Sequence, residues 1–181
     1  MQQTITYFDE PGEKNTEKTL ELAREKAAEM DVDHIVLAST TGDTARKAAE
    51  LMEDDELRLV VVPHQFGFDK PENKFPSDLT DELEAAGHTV HWGTMLFHTG
   101  NLYQSHTPDA LANILRCFSQ GIKVCFEISL MAGDAGHVSA GEGIIAVAGT
   151  GRGADTAIYA TASTTQDVDN FRVHHILCMP E

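Results

Sequence analysis

The chain reads as a single α/β domain, residues 1–181, folded as a three-layer α/β/α sandwich around a mostly parallel sheet. Two observations predict this class. Short continuous apolar runs, the signature of strands covered on both faces, alternate with segments whose apolar residues recur at helical spacing. Glycine and proline punctuate the joins, and neither an internal repeat nor a low-complexity linker divides the chain.

Taken in order, Ile5-Thr6-Tyr7-Phe8 is a short first strand, and Asp9 to Asn15 is a charged turn holding Pro11 and Gly12. Asn15 or Thr16 is placed to cap a helix over Glu17 to Met30, whose inner face is Leu20, Ala23, Ala27 and Met30. His34 to Ala38 is a buried strand. A helix follows from Gly42 to Glu53, burying Ala45, Ala48, Ala49 and Met52. Leu57 to Val62 is the next strand, ended by Pro63. His64 to Ser77 is an irregular loop with Gly67, Pro71 and Pro76 set among Phe66, Phe68 and Phe75, long enough to suggest a functional role. Asp78 to Ala86 is a short helix stopped by Gly87, and His88 to Trp92 is a strand candidate. After a second irregular stretch, Gly93 to Thr107, Pro108 opens a helix over Asp109 to Gln120 with Leu111, Ile114, Leu115 and Phe118 inside, closed by Gly121. Ile122 to Met131 reads as a strand interrupted by Glu127, and Ala132 to Gly136 as a turn or a short helical piece. Gly143 to Ala148 is the clearest central strand, Ile158 to Ala160 another, and the tail from Asn170 to Pro180 carries enough apolar residues to pack back on the domain.

Composition narrows the function classes. The formal net charge of −16 argues against an electrostatic grip on nucleic acid or on an anionic membrane. No apolar run is long enough to span a bilayer, and the first residues lack a basic segment and apolar core for secretion, so the expected location is cytoplasmic. The acidic residues are dispersed, as on solvated faces; an ordinary acidic protein and one adapted to a salt-rich interior both fit. Cys117, Cys125 and Cys178 form no paired spacing, and Cys117 and Cys125 lie in apolar patterns that make buried thiols the expectation. Nine histidines are present, yet none joins a zinc-ligand pattern, and no metal site is expected.

Two loops carry the chemistry. Ser39-Thr40-Thr41-Gly42-Asp43-Thr44 joins a buried strand to a helix N-terminus, where unpaired N–H groups and the positive dipole end suit a phosphate. It is not a Walker A loop, since no lysine sits beside the glycine. Ordinary capping of the first turn by Thr41 or Thr40 is the competing reading. Gly149, Thr150, Gly151, Arg152 and Gly153 follow the central strand, with alternating glycines that permit tight turns or close approach to a ligand. The order is not the dinucleotide fingerprint. Arg152 is the cation expected to neutralise a phosphate, because the first loop supplies none; a solvated Arg152 on a merely tight connection is the alternative. In open α/β sheets ligands collect beyond the carboxyl ends of strands, where both loops can meet.

His64, at a strand end, is suited to contact a ligand ring or to act as a base, or else simply lies on the surface. Glu127, Asp134 and Asp155 are either site carboxylates or structural groups, and Glu127 needs a partner if buried. Trp92, Phe66 and Phe68 either flank an aromatic ligand or fill the core. No catalytic residue is assigned.

The combination of the Ser39 to Ala45 run, the group His64-Gln65-Phe66-Gly67-Phe68, the segments Gly121 to Ile128 and Met131 to Gly136, and the closing run Ala148 to Ala157 resembles a family of small stand-alone prokaryotic proteins similar to the C-terminal α/β domain of pyruvate kinase. The likeness runs from His34 to Pro180. It implies a pyruvate kinase C-terminal-like three-layer fold, and flavin mononucleotide (FMN) as ligand, since family members carry it. The contacts so implied are Ser39, Thr40, Thr41, Gly42, Asp43, Thr44, His64, Gly67, Phe68, Glu127, Gly149, Thr150, Gly151, Arg152, Gly153, Asp155 and Thr156, with the phosphate on Thr40 to Thr44 and Gly151 to Gly153 and the ring toward the loop His64 to Phe68. It does not imply kinase activity, because the catalytic barrel of pyruvate kinase takes about 250 residues. Three readings stand: an FMN protein, with flavin redox chemistry if it is an enzyme; a non-catalytic sensor of a phosphorylated metabolite; and a structural homo-oligomer.

Overall fold

A computed structural model describes residues 2–68 and 72–181; Pro71, assigned above to the irregular loop, lies outside them. The strands are β1 (Thr6–Phe8), β2 (His34–Ala38), β3 (Arg58–Val62), β4 (Thr89–Val90), β5 (Gly143–Ala148), β6 (Thr156–Thr161) and β7 (Arg172–Pro180). The helices are α1 (Thr16–Met30), α2 (Asp43–Leu51), α3 (Ser77–Ala85), α4 (Gly100–Tyr103), α5 (Thr107–Arg116) and α6 (Gln120–Asp134), with short 3-10 turns at Glu13–Asn15, Leu96–His98 and Thr165–Asn170.

Among the described residues the strands form one sheet in the order β1-β7-β6-β5-β2-β3-β4. β5, β2, β3 and β4 run parallel; β6 is antiparallel to both of its neighbours, and β1 pairs in parallel with β7. The expected three-layer sandwich with a mostly parallel sheet is thus present, with β6 antiparallel to its neighbours. Alternation along the strands sorts the core. Ile35, Leu37, Leu59, Val61, Ile145 and Val147 face α1, α2 and α3, joining Leu20, Ala23, Ala45, Ala48, Leu79 and Leu83. Val36, Val60, Val62, Ile144, Ala146 and Ala148 face α6, joining Ile122, Cys125, Ile128 and Met131. The tail after Asn170 is a full strand inserted between β1 and β6.

The largest correction is α6. The segment Ile122 to Met131, expected as a strand, is helical, and of the two readings of Ala132 to Gly136 the helical one holds as far as Asp134. Gly121 does not end the preceding helix but lies in the first turn of α6, with Ser119 accepting from the Ile122 N–H as its N-cap. α6 is buried nearly all round, between the sheet and the outer segments, so its apolar pattern has no polar stripe to show a helical period. Glycines allow the close approach. A Cβ at Gly121 would stand 2.0 Å from Thr156 Oγ1, and one at Gly133 would stand 2.1 Å from the Ser163 carbonyl oxygen.

α5 carries the second correction. Ala112 is buried, but Leu111, Ile114 and Phe118, expected inside, are 50%, 62% and 59% exposed. Cys117, expected to be buried, is exposed with them, whereas Cys125 is buried as expected; Cys178 is buried too. At the other end of the chain neither Asn15 nor Thr16 caps α1 through its side chain. Thr16 instead accepts a hydrogen bond from the Ala154 N–H at 3.0 Å and donates to the Glu13 carbonyl.

Candidate functional site

The carboxyl ends of β2, β3 and β5 lie side by side, and the chain leaves β2 and β5 toward opposite sides of the sheet. Such a switch point opens a crevice above the strand ends. Here it is a cleft of about 600 Å³, walled by the loop after β2, the loop after β5, the start of the loop after β3, and one face of α6.

The first wall is built from the hydroxyl loop. Ser39 Oγ accepts from the Ala45 N–H at 3.3 Å, so the backbone of the first turn of α2 is bonded by Ser39, where Thr41 or Thr40 was expected. Gly42 adopts φ +91° at the helix entry and is buried beneath α3, where a Cβ would stand 2.5 Å from Leu79 Cδ2. Thr40, Thr41, Asp43 and Thr44 line the cleft. The Asp43 carboxylate is engaged at the rim, accepting from Thr41 Oγ1 at 2.9 Å and from Arg152 Nη2 at 3.3 Å.

The second wall is the glycine loop. Asp155, fully buried, accepts from the Thr150 N–H, the Gly12 N–H and Thr156 Oγ1 at 2.8 to 3.0 Å, clasping the loop to the turn before α1. Gly149, Gly151, Arg152 and Gly153 line the cleft. Arg152 is not a buried cation: its side chain is 72% exposed and reaches Asp43 and, at 3.9 Å, Glu13 across the mouth.

At the floor sequence reasoning named Glu127 but missed Lys123 and His98. Lys123 and Glu127 stand one turn apart on α6, both side chains buried, with Lys123 Nζ donating to Glu127 Oε2 at 2.5 Å. Glu127 Oε1 accepts from the Phe97 N–H at 2.9 Å, and the ammonium also sits 5.2 Å from the centre of the Phe97 ring. His98 Nε2 lies 3.2 Å from Lys123 Nζ. Burial pulls the Lys123 pKa below the usual lysine value, against the opposing charge and hydrogen bond of Glu127. Burial, and then the charge of Lys123, lower that of His98, so His98 accepts as a neutral imidazole. Edge contacts continue the wall from His98 to Phe68 and from Phe68 to His64, with ring centres 4.8 and 4.6 Å apart.

Of the residues expected at the site, the fold brings together Ser39, Thr40, Thr41, Asp43, Thr44, His64, Phe68, Glu127, Gly149, Gly151, Arg152 and Gly153. Gly42, Gly67, Thr150, Asp155 and Thr156 do not line the cleft. Gly42 and Asp155 shape its loops from behind, Thr156 packs on Gly121, and Gly67 is exposed. Phe66 and Trp92 contact each other outside it, and Asp134 serves as a structural acceptor for Thr165. Among the described residues five cations line the cleft, Lys47, Lys74, Arg116, Lys123 and Arg152, against three carboxylates, Glu13, Asp43 and Glu127. In a chain of net charge −16 this local excess of positive charge marks a place for an anion. Among the described residues no three histidine, cysteine, aspartate or glutamate side chains converge as metal ligands, and no helix is long and apolar enough to cross a membrane.

Solved structures of pyruvate kinase from Cryptosporidium parvum are similar at 16% identity. One matches 82% of this chain and 23% of its own, with a TM-score of 0.45. A complex of that enzyme with ADP matches 81% and 23%, with a TM-score of 0.43. The chain therefore spans about a quarter of the length of those enzymes. Residues 17–158 match the family described as "Pyruvate kinase, alpha/beta domain", and the chain belongs to that family.

Proposed function

We propose that this domain binds FMN in the cleft above β2, β3 and β5. The observation that carries the reading is the gathering of five cations, a hydroxyl loop and a glycine loop at one switch point of a strongly acidic chain. The cleft volume of about 600 Å³ is within the usual range for a ligand of this size. The residues fit the two ends of such a ligand. Thr40, Thr41 and Thr44 offer hydroxyls at the start of α2, and Arg152 bridges the mouth, where a phosphate gains from the helix end and from bidentate pairing. His64, Phe68 and His98 form an aromatic edge for a planar ring, with Lys123 beneath as a donor to its polar rim. The resemblance noted in the sequence supports the same ligand.

Bound FMN supplies electron transfer. The chain's own part is to hold the phosphate, orient the ring against the Phe68 wall, and keep a cation at the floor. Titrating the protein with FMN and with riboflavin, followed by quenching of flavin fluorescence, tests the proposal. FMN is expected to bind at least tenfold more tightly than riboflavin. Equal affinity, or no binding of either, overturns it.

The exposed ion pairs of Arg152 favour a second reading, a non-catalytic sensor of a phosphorylated metabolite, because the cationic cleft does not itself demand a ring. A sugar phosphate that displaces FMN and binds more tightly than it selects this reading. Acceleration of FMN reduction by a nicotinamide donor, relative to free FMN, selects the redox one.

A further inference from the structure

We propose that α5 is the centre of a two-fold homodimer contact. α5 has two apolar sides. Ala112 and Leu115 turn toward the domain, while Leu111, Ile114 and Phe118, spaced as one helical stripe, stay exposed. α4 packs beside it and adds Leu102 and Tyr103, 71% and 69% exposed. Five large apolar side chains at half to seven-tenths exposure amount to an apolar surface on the order of 500 Å², as large as the largest patches of monomeric proteins. With flanking polar atoms this approaches the roughly 800 Å² that each partner contributes to a stable pair.

Charge identifies a second copy as the occupant. Between Gly93 and Gln120 the charged side chains are Asp109 and Arg116, which cancel, so the whole formal charge of −16 is carried by the rest of the chain. Two copies repel each other over their acidic surfaces but meet across an α5 of zero net charge, each offering one acid and one base, Asp109 and Arg116. A basic partner would be drawn to the acidic surfaces instead. A stripe running along one helix is self-complementary when two helices cross about a two-fold axis, as an isologous contact requires. The exposed Cys117, the C-cap of α5, and Phe118 follow directly on its last turn. Arg116 extends from α5 to the cleft, so the contact adjoins the cleft rim.

Sedimentation velocity on the full chain tests the proposal. The wild-type protein is expected to be a dimer at micromolar concentration, and Ile114→Glu and Phe118→Glu are each expected to weaken it about a hundredfold or more, by burying an unpaired charge at the contact. Tyr7→Glu, on a strand 50% exposed at the far edge of the sheet, is expected to leave the dimer intact. Circular dichroism checks that each variant is folded; these side chains are exposed, so folding does not depend on them. Added salt is expected to tighten the dimer, because it screens the repulsion between acidic copies. A monomeric wild type, a dimer insensitive to both α5 substitutions, or a dimer loosened by salt overturns the proposal.

Discussion

The rim and the floor of the cleft each hold ion pairs, and they differ in almost every physical respect. At the rim Arg152 meets Asp43 and Glu13 with side chains more than half exposed. Water and salt screen such pairs, which contribute little to folding. At the floor Lys123 and Glu127 are 1% and 2% exposed, joined at 2.5 Å, and further satisfied by Phe97 and His98. Taking these two charges out of water costs several kcal/mol, and apolar residues of the same volume would stabilise the domain as well or better. The comparison teaches that the rim can open and exchange partners at little cost, as a phosphate clamp must. The floor is a fixed charge whose cost is offset only inside the completed fold.

The largest expected effect breaks the floor. Lys123→Met leaves Glu127 charged and buried without its cation, and is expected to lower unfolding free energy by about 3 to 5 kcal/mol. The double substitution Lys123→Met with Glu127→Leu is expected to regain most of that loss while FMN affinity stays impaired. Urea denaturation of both variants decides this. A double variant as unstable as the single one would make the pair a structural requirement, and unimpaired FMN binding by it would remove the floor from the site.

Arg152→Ala reverses the balance at the rim. Folding stability is expected to change by less than about 1 kcal/mol, whereas FMN affinity falls by about 1.5 to 3 kcal/mol and riboflavin affinity hardly at all. Calorimetric titration with the two ligands makes the distinction, and equal losses would mean that Arg152 does not read the phosphate. Thr44→Val, at a buried position on the first wall, is expected to weaken FMN binding by about 1 to 2 kcal/mol, and an unchanged dissociation constant counts against a hydroxyl contact.

The smallest effect is that of pH. Burial lowers the pKa of His98, and also those of His88, His91 and His137, below the usual 6.5. The folded state therefore binds fewer protons than the unfolded chain. This contribution to stability is complete above about pH 6.5 and is lost as the pH falls from there through the folded-state values. Melting temperatures measured from pH 7.5 to 5 are expected to decline, and a flat profile would show these rings to be solvated in the folded state.

Much of the rim was legible in the sequence because its signals are local. A hydroxyl run after an apolar strand, and alternating glycines after another, mark chain turns whatever surrounds them. Of the floor only Glu127 was legible. Ile122 to Met131 is apolar enough to read as a strand, and Glu127 then looks like an interruption instead of the second member of a pair one helical turn from Lys123. The length of the run, longer than most strands, was the available signal, because a helix buried all round shows no period. The same logic failed in the opposite sense at α5, where Leu111, Ile114 and Phe118 show a clear helical stripe that faces outward. Periodicity reports that a helix has an apolar side, not what covers it.

By itself the sequence determined the fold class, the central strand Gly143 to Ala148, the helices on the first face, and the two loops at the strand ends, since each follows from hydrophobic period and turn chemistry within a few residues. Only the tertiary structure decided that α6 is a helix, that Lys123 and Glu127 pair beneath those loops, that Asp155 clasps a loop from behind, and that one face of α5 stays uncovered. Those features depend on which distant segments meet. Burial from all sides erases the local pattern, and the partner that satisfies a buried charge or covers an apolar stripe need not be near it in the chain.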